Sequence, residues 1–276
     1  MDEFKKDDQN QKDYINLNAS SYSSTVTKEK PVQDEKSKLK VANIAKVFIW
    51  FGIGLLITGA IAIGLPNIFL LVNENNADAI GNTYIYLLII SAIGILPLSI
   101  IMAFAPAIRK NKVFIKVTYL LYTIFMGVLL SGLMLMLLAL DGEGVTSISA
   151  LNTFAYTFII TAGLFMLSGF IGVITKNMSK VYPLLITLVV GSLTLSLVNF
   201  FLRVEWLYWV IDFAMFFWIL ITTAVDMHNI NKIAQRVDFN EERNLAIYLA
   251  YQLYVDFIYI FIRVLYYVLL ASNRKK

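Results

Sequence analysis

The chain has 276 residues, of which 58% are apolar and only 15% are charged, and its net charge is +4. A soluble domain of this size does not need so much apolar surface, whereas one bilayer span needs about 20 consecutive apolar residues. The composition therefore predicts an all-α, multi-pass membrane protein. Because the chain has no cysteine, disulfides, thiol catalysis and cysteine-ligated metal sites are excluded.

The first forty residues are polar and carry eight lysines and eight acidic residues. They contain no apolar core of a signal peptide, and they cannot bury enough apolar area to offset the entropy of ordering. We therefore predict a disordered cytoplasmic tail over residues 1–40, a membrane domain over 41–272 and a short basic end over 273–276. The net positive charge comes from residues 41–276, where it lies in short loops. It therefore indicates membrane topology and does not suggest a nucleic-acid partner.

Seven apolar runs follow the tail, and each is long enough for one span but too short for two. In chain order they cover residues 43–64, 82–107, 113–139, 150–174, 181–202, 205–225 and 245–271. Basic residues mark the connections after the second, fourth and sixth runs, whereas the connections after the first and third are acidic. Under the positive-inside rule, the basic connections and the N-terminus are cytoplasmic, as in a bacterial plasma-membrane protein. Seven full spans place the C-terminus outside, and we favour a full seventh span because the 27 residues of this apolar run exceed what one crossing needs. The terminal sequence NRKK argues against an outside C-terminus: either this end is too short to affect topology, or the seventh run is re-entrant and returns to the cytoplasm.

Few ionisable residues lie within or beside the runs. Lys46 is close enough to the start of the first run to extend its ammonium to the membrane interface. Asp212, in the outer part of the sixth run, either lines an outer vestibule or is simply solvated. Asp226 follows that run, where a carboxylate does not stabilise the helix terminus. His228, the only histidine, is interpreted as a solvated loop residue and not as a metal ligand.

The seventh run carries four polar side chains at spacings of 4, 3 and 4 residues: Gln252, Asp256, Tyr259 and Arg263. This spacing places them on one helical face, which must turn towards the bundle or a water-filled cavity because lipid offers no polar partners. A structural pair of Asp256 with Arg263 is one interpretation. However, seven residues span about 10 Å along a helix, which is too far for direct contact without a bridging group.

The alternative partner for Asp256 is Asp226. If the seventh run ends at the outer face, Asp256 lies about one turn inside the cytoplasmic boundary, where Asp226 also lies. Two adjacent carboxylates share a proton or bind a hard cation such as Ca²⁺ through their oxygens. The sequence thus predicts a proton-sensitive latch or a cation site formed by Asp226 and Asp256.

Several segments resemble the Bax inhibitor-1 family of membrane proteins. IYLAYQLYVDFIYIF, around Asp256, is similar to the family's last-helix motif, and AVDMHNINKI places Asp226 on a second family aspartate. TFIITAGLFMLSGFIGVITKNMSK is similar to the fourth span, and KVFIWFGIGLLITGAIA to the first. The resemblance covers roughly residues 43–271, and its segments occur in the family's order.

The resemblance implies a seven-helix bundle with the last helix at its centre. It also implies a pH-sensitive calcium leak in which Asp226 and Asp256 form the sensor. An arginine at the cytoplasmic end of the second span latches the closed state; Arg109 is the best match, and Lys110 is the alternative register. The only metal that the resemblance implies is Ca²⁺, as a transported or transiently bound ion.

Two alternatives to the leak belong to other classes of protein. Relatives that modulate a membrane protease or cell death suggest a regulatory protein without transport, whose partner would be another membrane protein. Two aspartates on consecutive spans also occur in intramembrane aspartyl proteases. Those enzymes have G-x-G-D around the second aspartate, whereas this chain has LYVD, so we expect no enzymatic activity.

Overall fold

A computed structural model of the protein describes residues 29–72, 77–103, 112–140, 147–239 and 243–273. These residues form seven α-helices and no strand. The helices are α1 Glu29–Val72, α2 Ala77–Ala103, α3 Lys112–Leu140, α4 Ser147–Ile174, α5 Val181–Leu202, α6 Glu205–Ile233 and α7 Arg243–Asn273. All seven are long and apolar enough to cross a membrane, which confirms the predicted all-α class and the seven spans.

Two helix boundaries differ in an informative way from those predicted. Helix α1 begins at Glu29. Residues 29–40, which were predicted to belong to the disordered tail 1–40, therefore extend the first span as helix. Pro31 is compatible with this extension because the first helical turn needs no proline N–H. Residues 1–28 lie outside the described part of the chain. Helix α6 continues eight residues beyond the predicted end at residue 225, and α7 is one uninterrupted helix, which favours a full seventh span.

Helix α7 occupies the centre of the bundle and packs against α1, α3, α4 and α6. Its aromatic side chains provide much of this packing. Phe257 packs edge-on against Phe51 of α1 and Phe165 of α4, and Phe261 packs edge-on against Phe154 of α4. Lipid tails are as apolar as these side chains, so close packing rather than water exclusion favours association.

Hydrogen bonds between helices add to this packing. The Tyr254 hydroxyl of α7 lies 2.5 Å from the Thr58 hydroxyl of α1, and Thr58 donates to the Thr123 carbonyl of α3 at 2.9 Å. All three polar groups are buried and satisfy one another, as the absence of water in a bilayer core requires. The network fixes three helices around the middle of the bundle.

One end of the bundle carries Lys176, Lys180 and Arg236 in its connections, and we call it the basic end. There, the connection between α6 and α7 is attached to α1 through the fully buried Asn43. The Asn43 amide donates to the carbonyls of Ala234 at 3.1 Å and Val237 at 2.8 Å, and its oxygen accepts from the Phe239 N–H at 3.2 Å. A single side chain thus satisfies three backbone groups of the connection.

We expect Asn43→Ala to destabilise this connection. The substitution leaves two carbonyls and one N–H without their partner, and each buried polar group left unsatisfied costs about 1–3 kcal/mol. Limited proteolysis with trypsin should cut at Arg236 faster, and the thermal unfolding midpoint of the detergent-solubilised protein should fall.

Asn67→Ala is the matched control. Asn67 lies on the same helix, but it is exposed, and among the described residues it bonds only the Ile63 carbonyl of α1. Equal effects of the two substitutions on cleavage at Arg236 would show that Asn43 does not hold the connection.

Candidate functional site

Asp226 of α6 and Asp256 of α7 lie close enough for their carboxylates to interact electrostatically. Asp256 is only 7% exposed, and the Thr223 hydroxyl, which donates to the Ile219 carbonyl at 3.0 Å, lies near its carboxyl. Its second oxygen, Oδ2, is buried with no hydrogen-bond partner among the described residues. The structure therefore brings together the two carboxylates that the sequence paired, while their role as a pH sensor stays a prediction.

The pair lies deeper in the bundle than the sequence boundaries suggested. Asp226 precedes the end of α6 by seven residues, and Asp256 follows the start of α7 by thirteen. At 1.5 Å per residue these offsets are about 10 and 20 Å from the helix ends at the basic end. The predicted end of the sixth run at residue 225 was wrong because residues 226–233 are helical. Within them, His228 and Ile230 are buried against neighbouring helices.

Arg263 does not pair with Asp256. It forms a salt bridge with Asp212 of α6, and the other Asp212 oxygen accepts a hydrogen bond from the Tyr267 hydroxyl at 2.5 Å. This pair was missed in the sequence, although Asp212 and Arg263 are opposite charges in the outer halves of adjacent runs. The interpretation of Asp212 as simply solvated is wrong, because both of its oxygens are engaged.

A cavity of about 790 Å³ lies between α6 and α7 towards the end opposite the basic end. Asp212, Arg263 and Glu205 line it together with aromatic side chains that include Tyr259. Asp212 therefore lines a cavity, as one of its two interpretations predicted, while the assignment of this cavity to the outer side of the membrane stays a prediction.

The predicted polar face of α7 is divided between two environments. Tyr259 and Arg263 line the cavity, Asp256 is buried beside Asp226, and Gln252 is half-buried. The four side chains therefore do not share one polar surface.

His228 is buried and is not the solvated loop residue that the sequence suggested. Only 4% of it is exposed, its Nδ1 lies 3.1 Å from the Gly172 carbonyl oxygen of α4, and its Nε2 has no partner among the described residues. The contact is close because Gly172 has no side chain: a Cβ there would meet the Ala224 carbonyl oxygen at 2.1 Å. His228 thus joins α4 to the segment of α6 that carries Asp226.

The predicted latch cannot be placed beside the two aspartates, since Arg109 lies outside the described residues, as does Lys110. Within the described ranges, no group of three or more His, Asp or Glu side chains is arranged to hold a metal. The two carboxylates and the Thr223 hydroxyl offer oxygen donors, which hard cations prefer, but fewer than the six to eight that Ca²⁺ takes. A calcium ion at this position would keep several waters.

Comparisons with known proteins identify one family and two similar bacterial membrane proteins. Residues 41–275, which include part of every helix, match the family described as "Inhibitor of apoptosis-promoting Bax1". The chain is 27% identical over 230 residues to the inner membrane protein YbhL of Escherichia coli strain K12, covering 80% of this chain and 88% of YbhL. YbhL of Escherichia coli O6:H1 matches with the same identity and coverage. No solved structure matches the chain significantly.

Proposed function

Because the chain belongs to the Bax inhibitor-1 family of membrane proteins, we propose that it is a passive cation leak, with Ca²⁺ as the favoured ion. The observation that carries this proposal is the buried, partly unpartnered Asp256 carboxylate beside Asp226. An acid within a span is costly and marks an ion pathway or proton relay more often than a structural contact. The inner-membrane location of YbhL supports a bacterial plasma-membrane site.

The two carboxylates provide a gate that responds to pH. At low pH they share a proton, which removes their repulsion and lets α6 and α7 stay in contact. At high pH both ionise, and two negative charges in a poorly hydrated site either separate the helices or recruit a cation. In this proposal Arg109 stabilises the closed state, and the leak is greater at high pH than at low pH.

Neither aspartate has a catalytic role in this leak. The outer cavity, which Asp212 and Arg263 line, is the vestibule on the far side of the gate. Tyr259 lies between that cavity and Asp256, one turn away along α7. An ion moving from the vestibule would therefore pass Tyr259 before it meets the two carboxylates.

We expect calcium flux into proteoliposomes to rise several-fold as the pH is stepped from about 5 to about 8. Asp226→Asn and Asp256→Asn should each remove most of this dependence, because an amide cannot share or release the proton. Glu205→Gln, which neutralises an exposed acid at the rim of the outer cavity, is the control and should retain it. Flux that is absent, or that is indifferent to both pH and the two substitutions, would falsify the proposal.

A further inference from the structure

A second groove, of about 410 Å³, lies between α5 and α6 and reaches Asp226 from the side facing away from α7. Its walls are mostly apolar and include Leu185, Val189 and Trp218. The rest of its lining is polar: Thr222, Asp226 and Asn229 from α6 and Tyr182 from α5. Asp226 therefore borders two environments, Asp256 on one side and this groove on the other.

The polar residues of the groove form a line that runs towards the basic end. Thr222, Asp226 and Asn229 are spaced by four and three residues, which places them on one face of α6 over about 10 Å. At the basic end of this line, Asn229 Nδ2 donates to the Tyr182 hydroxyl at 3.4 Å. This long contact joins α5 and α6 between Asp226 and the basic end.

Water suits this groove better than a lipid chain. No hydrogen bond joins the Asp226 carboxylate to another residue of the described part of the chain, and an acyl chain would offer it none. A volume of about 410 Å³ exceeds the roughly 30 Å³ of one liquid water by more than tenfold, and Thr222, Asn229 and Tyr182 supply polar partners along it. The groove is also next to the connection that carries Lys176 and Lys180, so it begins where bulk water is present.

We propose that the groove between α5 and α6 is a water-filled crevice that brings protons and small hydrated cations from the basic end to Asp226, with the Tyr182–Asn229 contact as its constriction. The delivery of cations rests on the proposed leak function, but the hydration of the crevice does not. The path from the basic end thus runs beside α6 and not along α7.

Single-cysteine labelling tests the crevice directly, because the chain has no cysteine of its own. Thr222→Cys and Asn229→Cys place thiols in the groove. Among the described residues, the Thr222 hydroxyl bonds only the Trp218 carbonyl of its own helix, and the Asn229 amide bonds another helix only at Tyr182. Leu193→Cys is the matched control: it lies on α5 about as far from the basic end as Thr222, it is 65% exposed, and it is outside the groove. In a bilayer Leu193 faces lipid.

We expect a charged, membrane-impermeant thiosulfonate, applied to the basic end of the reconstituted protein, to modify both groove cysteines about tenfold or more faster than Leu193→Cys. The readout is the mass shift of the protein with time. Tyr182→Phe should accelerate modification of Thr222→Cys several-fold, because it removes the hydroxyl at the constriction. Groove cysteines that react as slowly as Leu193→Cys, or only from the opposite end, overturn the crevice and indicate that lipid fills the groove.

Labelling and flux separate this inference from the leak itself. Rapid labelling of the groove without calcium flux in the wild type would keep the crevice and overturn the leak. Calcium flux that depends on Asp226, combined with unreactive groove cysteines, would keep the leak and overturn the crevice.

Discussion

Gly172→Ala should lower the thermal unfolding midpoint of the detergent-solubilised protein markedly, although it adds only one methyl group. The new Cβ would lie 2.1 Å from the Ala224 carbonyl oxygen, and 2.9 Å from the carbonyl carbon. A backbone carbonyl within a helix cannot rotate away as a flexible side chain can, so α4 and α6 must separate. Overpacking of this kind typically costs about 1–3 kcal/mol.

The same substitution should also alter the gate. Separation of the two helices breaks the contact between His228 Nδ1 and the Gly172 carbonyl oxygen. His228 lies only two residues from Asp226, so movement of this part of α6 displaces one carboxylate relative to Asp256. Calcium flux should therefore lose part of its pH dependence in any fraction of the variant that folds.

Gly163→Ala is the control for this prediction. Gly163 lies on the same helix, but a Cβ there would meet nothing within 4 Å. Replacing glycine with alanine in a helix interior is favourable by roughly 0.5–1 kcal/mol when space is available. The two variants should therefore differ in sign, and a similar loss in both would mean that the close approach at Gly172 does not determine stability.

The sequence was sufficient to predict the spans because each one is an apolar run of the required length, and length and hydropathy are local properties. The proximity of Asp226 to Asp256 was also predictable, since an acid in an apolar run needs a partner and few were available. Depth was harder to predict. The polar residues of DMHNINKI suggested a loop after residue 225, yet tertiary contacts of His228 and Ile230 keep this segment helical.

The pairing of Asp212 with Arg263 illustrates what the sequence could not provide. In two antiparallel helices with Asp226 opposite Asp256, a residue seven positions after Asp256 should lie opposite one seven positions before Asp226. Asp212 is fourteen positions before it, so strict register does not predict the contact. The length of the arginine side chain and the relative slide of α6 and α7 decide it, and both are properties of the packed helices.

Breaking the ion pair of Asp212 and Arg263 should also lower the stability of the protein substantially. Asp212→Asn leaves the Arg263 guanidinium, and Arg263→Gln leaves the Asp212 carboxylate, each without its charged partner in the wall of the outer cavity. Loss of one partner costs about 3–5 kcal/mol for a fully buried pair. The side chains here are 17% and 35% exposed, so solvent screening should reduce the cost to about 1–3 kcal/mol.

The double variant Asp212→Asn with Arg263→Gln isolates the interaction. It should recover part of the stability lost in the singles, because neither charge is then left alone, and the remainder is the coupling of the pair. Tyr267→Phe is the control, since it removes only the hydroxyl that donates to Asp212 and keeps the salt bridge. Unfolding midpoints that simply add across the cycle would contradict a coupled pair.

The two single variants should change the ratio of calcium to potassium flux in opposite directions. In the wild type Asp212 neutralises the guanidinium in the cavity, so an approaching cation meets little net charge from the pair. Asp212→Asn exposes a fixed positive charge, which repels a divalent cation twice as strongly as a monovalent one at the same distance. Calcium flux should therefore fall more than potassium flux, whereas Arg263→Gln should shift the ratio towards calcium. A ratio that is unchanged in both variants would place the ion path away from this cavity.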